Sequence, residues 1–254
     1  MTRPMSIAQA LLLLATGVLA GIAATVASVA SVVSYPVLLA IGLPPLAANV
    51  TNTMSLVCTS AGSVAGSRPE LSGQRQRAFQ LAVITALGGA AGACALLLAP
   101  ASTFAIVVPA LIAGASALLL IQPRLRRLSP RPGAERSRRR LAGVFASAVY
   151  IGYFGAAGGV VLLAVLSMMF TDSFIRINAL KNVISGAANG VAALAFALFA
   201  PVDWAVVPLL AAGFLVGGMT GPRLARRLPV QALRVLVALA GFAMAVKLGV
   251  SAYR

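Results

Sequence analysis

The chain has 254 residues, 60% of them hydrophobic and only 9% charged, with a mean hydropathy of +0.99. A soluble domain is about a quarter charged, so there is too little polar surface here to coat a particle in water. The net charge of +16 would suit a nucleic-acid binder, but eight of the arginines crowd between Arg124 and Arg140. In a membrane protein such a cluster marks a cytoplasmic loop under the positive-inside rule, with anionic lipid headgroups as the sharper alternative.

In chain order, Arg3 precedes an apolar run from Leu11 to Ala27, and the small residues Ala27 and Ser28 imitate a secretory cleavage site. Because further membrane segments follow, this run reads as an uncleaved first segment. The hydrophobic stretches fall at roughly 7–27, 29–42, 46–66, 79–99, 103–121, 141–170, 176–200, 203–221 and 231–250. Runs of at least ~17 apolar residues are long enough to span a bilayer as helices. Two stretches are broken, one at Ser28, Ser31, Ser34, Tyr35 and Pro36 and the other at Gly155, Gly158 and Gly159. Small and helix-breaking residues at matching places in two halves point to discontinuous helices, a common way to build a transport site.

The halves also match in sequence. Asn49, Asn52 and Thr53 in NVTNT align with Asn178, Lys181 and Asn182 in NALKN at a constant spacing of 129, and each motif follows a broken stretch. A duplication accounts for this, with a first repeat over 1–122, an Arg-rich cytoplasmic loop over 123–140 and a second repeat over 141–254. Loop charge then bears on orientation. In the first half the loop after the motif segment is basic (Arg68, Arg75, Arg77), whereas in the second half that loop carries Asp203 and the next one is basic (Arg223, Arg226, Arg227). The expected fold is therefore an all-α polytopic membrane protein. It has two inverted repeats, each a broken or re-entrant first segment (7–42 and 141–170) followed by three transmembrane helices. Eight ordinary crossings with parallel repeats are the rival arrangement.

At about 100° per residue, Asn178, Lys181, Asn182, Ser185 and Asn189 fall within one arc of roughly 100°, as do Asn49, Asn52, Thr53, Ser60 and Ser63. For Ser60 and Ser63 hydrogen bonding between helices is sufficient explanation. Lys181 is different, since an ammonium at membrane depth costs roughly 2.5–3.5 kcal/mol on insertion scales. Two readings stand: its stem snorkels to the interface, or it forms an anion site with the neighbouring Asn side chains and backbone amides of the Gly155–Gly159 break. Arg176 reads as an anchor at the membrane surface or an attractor of anions at an entrance. The acidic residues are Glu70, Glu135, Asp172 and Asp203, all in or beside loops, and histidine is missing from the chain. Proton relay, cation binding and metal or haem chemistry are therefore poorly supplied, the lone Cys58 and Cys94 do not change that, and no cofactor is expected. An anion leaving a cell with a negative interior is driven outward by ~2.3 kcal/mol per charge per 100 mV, so export is the physically cheaper direction.

Several stretches together resemble the TauE/SafE sulfite exporter family of bacterial membrane transporters: GVLAGIAATVASVASVVSYPVLLAIGLPPLAANVTNT, GQRQR, YIGYFGAAGGVVLLAVL, INALKN and GGMTGPRLARRLP. The resemblance extends from about Leu11 to Leu248 and implies export of sulfite, organosulfonates or related small sulfur-containing anions across the bacterial cytoplasmic membrane. It departs where the family carries a cluster of glycines and this chain has Ala27, Ser28, Ala30 and Ser31, a change that bears on the size or selectivity of the site. The expected binding residues are Ser31, Asn49, Asn52, Thr53, Gly155, Gly158, Gly159, Asn178, Lys181, Asn182 and Ser185, with the first-half triplet facing the second-half one near mid-membrane. The expected partners are a small anionic substrate and membrane lipids, no nucleic acid, and a homo-oligomer left open. A membrane-embedded enzyme on a lipid-like substrate, short of acids and metal ligands, and a non-transporting scaffold are the alternative functions.

Overall fold

A computed structural model of the chain describes residues 6–125, 138–155 and 158–225, with six isolated positions between 239 and 250. Among the described residues there are ten helices and no strand. The 126–137 portion of the Arg-rich loop, with Glu135, and most of the expected last segment at 231–250, with Arg226 and Arg227 before it, lie outside them.

Helix α1 (Ile7–Ala27) opens with a reciprocal cap, in which Ser6 Oγ accepts from the Gln9 amide and Gln9 Oε1 accepts from the Ser6 amide. It ends where Ser28 turns left-handed, and α2 (Ala30–Ala40) follows at once. Pro44 and Pro45 start α3 (Pro45–Gly66), where a missing amide is harmless because the first turn has no acceptor for it. A single turn α4 (Arg68–Leu71), then α5 (Arg75–Leu98) and α6 (Ala101–Leu125), complete the first half. In the second half α7 (Arg138–Tyr153) and α8 (Gly158–Met169) are separated at Gly155, whose φ is +76°, and α9 (Phe174–Phe199) and α10 (Val207–Ala225) follow. The segments over 7–42 and 141–170 are thus broken where expected. The two arms of the segment over 7–42 are unequal, 21 residues in α1 and 11 in α2. At 21 residues α1 is by itself long and apolar enough to cross a membrane, as are α5, α9 and Val207–Leu224 of α10. The apolar side chains Phe79, Leu87, Leu98, Leu194, Leu198 and Phe199 remain exposed on α5 and α9, a surface suited to acyl chains and not to water.

Glycines set the packing. Gly17 of α1 lies on Leu210 and Gly213 of α10, Gly21 on Phe214 and Gly217, and Gly221 on Ile22 and Thr25. The two helices therefore run side by side in one direction, and Gly62 and Gly66 bring α3 alongside α10 in that direction too, against Leu215 and Met219. On the other flank Gly88 and Gly92 of α5 meet Phe145 and Val149 of α7, and Gly89 meets Ala188 of α9. Thr85 Oγ1 adds a 2.7 Å bond to the Ile184 carbonyl. In contrast α3 and α9 run oppositely, since Asn182 pairs with Ser63 while the later Gly186 sits on the earlier Ser60. Helices α1, α3 and α10 point one way and α5, α7 and α9 the other. The spacing of 129 that relates the Asn motifs recurs between GGAAG at 88–92 and GGMTG at 217–221, and both glycine runs do the same job. Helix α5 is wedged between α7 and α9 just as α10 is wedged between α1 and α3.

Without water to drive apolar association, such contacts derive from close backbone approach. A Cβ on Gly17 would stand 2.5 Å from the Leu210 oxygen, whereas one on Gly190 would meet nothing within 4 Å. Gly17→Val is accordingly expected to destabilise the chain by roughly 1–3 kcal/mol and Gly190→Ala to be neutral or stabilising by up to about 1 kcal/mol, as read from thermal unfolding in one detergent.

Candidate functional site

Both breaks open onto one cavity between the two halves. It encloses about 500 Å³ of empty space, mouth included, between Ser28, Ala30 and Ser31 at the first break, Gly155 and Gly159 at the second, Leu56, Thr59, Ser60 and Ser63 on α3, and Lys181, Asn182, Ser185 and Asn189 on α9.

Lys181 dominates its chemistry. It is the eighth residue of α9, about 10 Å along the axis from the helix start at 1.5 Å per residue, and is 2% exposed. The ammonium donates to Ser28 Oγ at 2.7 Å and to the Ala24 carbonyl at 3.3 Å, and among the described residues no carboxylate accompanies it. The snorkelling alternative is therefore corrected: the side chain points inward, toward the end of α1, with Gly159 directly beside it. A Cβ at Gly159 would meet Ser28 Cβ at 3.0 Å and Lys181 Cδ at 3.5 Å. Arg176, in contrast, is 35% exposed at its side chain and bound to Asp172 at 3.3 Å and to the Ser72 carbonyl at 2.9 Å. Asp172 also takes Arg77 at 2.8 Å, which ties α5 to the start of α9.

Helices α2 and α8 both start at the cavity. The first amides of a helix have no partner within it and carry partial positive charge. Three polar atoms on the walls have no partner: Thr59 Oγ1, Ser185 Oγ and Asn189 Oδ1, with Thr59 4% and Asn189 9% exposed. Buried polar groups without a partner are uncommon, and these three share one space with the ammonium.

Of the residues singled out in the sequence, Ser31, Gly155, Gly159, Lys181, Asn182 and Ser185 line this cavity, whereas Asn49, Asn52, Thr53, Gly158 and Asn178 do not. The first-half triplet does not face the second-half one, because α3 and α9 run oppositely and bring Ser60 and Ser63 to that position. The asparagines brace the breaks instead. Asn49 Nδ2 donates to the Tyr153 carbonyl at 3.1 Å and Asn178 Nδ2 to the Thr25 carbonyl at 2.7 Å, so each half holds the other half's broken end. Asn52 holds Ser31 at 3.0 Å and Ser34 at 2.6 Å within its own half, and Thr53 is buried. Gly158 opens α8 behind Ile151 and Tyr150. Thr59 was missed by the sequence reading although it shares the helical face of Asn52 and Ser63, at i+7 and i−4. Ser63 does make the helix-to-helix bond expected of it, to Asn182 at 2.7 Å.

Residues 13–248 match the family model described as Sulfite exporter TauE/SafE. The chain belongs to the TauE/SafE family. No curated protein and no solved structure matches it. TauE/SafE proteins are transporters, not enzymes, so the membrane-embedded enzyme is set aside, and membership implies a multi-pass membrane exporter of sulfite or a related anion. In this TauE/SafE chain the first break has a definite geometry. Ser28 has φ of +65°, a conformation costing an L-residue about 1–2 kcal/mol and glycine almost nothing, and its hydroxyl is the group that receives Lys181.

The walls can be mapped chemically. With Cys58 and Cys94, both free, replaced by Ala, Ser60→Cys and Ser185→Cys are expected to react with a small sulfonate-bearing thiol reagent at least about tenfold faster than Asn49→Cys or Thr53→Cys, a ratio reflecting access and the thiolate-stabilising ammonium. Equal rates at all four positions would contradict the lining described above.

Proposed function

We propose that the protein exports sulfite or a closely related sulfur-containing anion, such as an organosulfonate, from the bacterial cytoplasm, binding it in the cavity between the two breaks. The observation that carries this reading is Lys181, a buried ammonium whose partners are neutral. A buried charge lacking a counter-charge is strongly destabilising, and a transported anion supplies that counter-charge. The amides that open α2 and α8 add directional donors, and Thr59, Ser60 and Ser185 supply hydroxyls that can turn to donate. Asn182 holds Ser63 and keeps α9 in register beside the anion, while Asn49, Asn52 and Asn178 act on the breaks and not on the ligand.

Opposite helix directions in the two halves support inverted repeats: α1 and α3 run against α7 and α9, their counterparts at the spacing of 129, and α5 against α10. With these directions Arg75, Arg77, Arg138, Arg139, Arg140, Arg176 and Arg223 all gather at one end of the bundle, where the positive-inside rule sets the cytoplasm. The far end carries Asp203, whose amide donates to Thr51 and whose carboxylate caps the start of α10. Rocking of one repeat against the other would open the cavity to each side in turn, and the membrane potential pulls the anion outward.

Lys181→Ala should lower sulfite counterflow in proteoliposomes at least about tenfold, with Lys181→Arg, which keeps the charge, retaining a measurable fraction. Flux unchanged in the alanine variant would remove the ammonium from the mechanism. Topology has a separate check: single cysteines at Arg75 and Arg223 should label from one side of the membrane and one at Trp204, which is exposed, from the other.

A further inference from the structure

We infer that the cavity discriminates by charge, accepting a singly charged anion and rejecting a doubly charged one of the same shape. The inference rests on the reading of the cavity as an anion site. Its first support is the inventory of the walls, where among the described residues Lys181 is the one that carries a charge and the others are Ser, Thr, Asn, Gly, Ala, Leu and Ile.

Helix ends do not add a second unit. A helix N-terminus contributes about half a positive charge and a C-terminus about half a negative one. Each break here brings both together: α1 ends at Ala27 where α2 begins at Ala30, and α7 ends at Tyr153 where α8 begins at Gly158. Their net contributions cancel, so the amides orient an anion without neutralising more of it. The C-terminal carbonyls at each break are engaged as acceptors, Ala24 by Lys181, Thr25 by Asn178 and Tyr153 by Asn49.

Internal symmetry makes the same point. The counterpart of Lys181 at the spacing of 129 is Asn52, which is occupied by Ser31 and Ser34, so an amide stands where a duplicated cation would be. Two of the three N–H directions on Lys181 are likewise taken, by Ser28 and Ala24. A second negative charge would stay uncompensated in a low-dielectric site, which is the costly situation. An apolar substituent in place of one charged oxygen, in contrast, finds Leu56, Ile151 and Ala30 on the walls. The favoured ligand is thus a singly charged sulfur oxyanion, whether protonated on one oxygen or carrying a small alkyl group.

Methanesulfonate and sulfate form a suitable pair, since both are tetrahedral and fully ionised at neutral pH and differ by a methyl group in place of one oxygen and by one charge. Flux of each, isotopically labelled, is measured in proteoliposomes at a single pH. Methanesulfonate is expected to move at least about tenfold faster than sulfate, the scale at which pocket contacts discriminate close analogues. Thr59→Lys, which adds a second ammonium to the same walls, should narrow that ratio. Equal flux of the two anions, faster sulfate, or a folded Thr59→Lys protein with an unchanged ratio would overturn the inference while leaving anion export standing. If neither anion moves above protein-free liposomes while circular dichroism shows a folded chain, the anion-site reading falls and this inference with it.

Discussion

An ammonium withdrawn from water asks for a negative partner, and among the described residues of this fold none is offered. Lys181 is received by a hydroxyl and a carbonyl, groups that satisfy its hydrogen bonds but leave its charge unbalanced. Much of the surrounding structure makes that arrangement tolerable. Ser28 adopts a left-handed backbone to present its oxygen, Gly159 leaves room for the lysine stem, and α1 stops short so that carbonyls near its end face the α9 side chains. The result is a neutral, hydrogen-bonding enclosure with a fixed positive focus, well matched to an anion that must be held and then released.

The breaks need support because each leaves backbone groups without helical partners. Asparagine supplies it across the boundary between halves: Asn49 reaches the end of α7, and Asn178 the end of α1. The donors of these two bonds are 129 residues apart, the spacing that relates the motifs, and their acceptors Thr25 and Tyr153 are 128 apart, so the likeness of the two halves extends from sequence to hydrogen bonds. Glycine runs at 88–92 and 217–221 carry the symmetry into packing, letting α5 and α10 lie against the opposite half.

Much of this was legible beforehand, for reasons that differ by residue. Apolar runs and turn residues located the helices and both breaks, since bilayer thickness fixes the length of a span and left-handed turns favour glycine. A helical arc picked out Lys181, Asn182 and Ser185, which do line the cavity. The same arc could not say what Asn49 and Asn178 touch, because periodicity defines a face and not the neighbour across from it. With α3 and α9 running oppositely, Ser60 and Ser63 came opposite the lysine helix in place of the first-half triplet. Ser28 was recognised as part of a break, but its strained backbone and its bond to Lys181 depend on tertiary contacts that local preference does not encode.

The interleaving of the two halves has a bearing on how the molecule comes to exist. Helix α1 is made well before α10, to which the surface it matches belongs, and α7 in turn packs on the earlier α5. The most extensive contact of each half's opening helix is thus with the other half. The packing of α1 is complete only once α10 has been made.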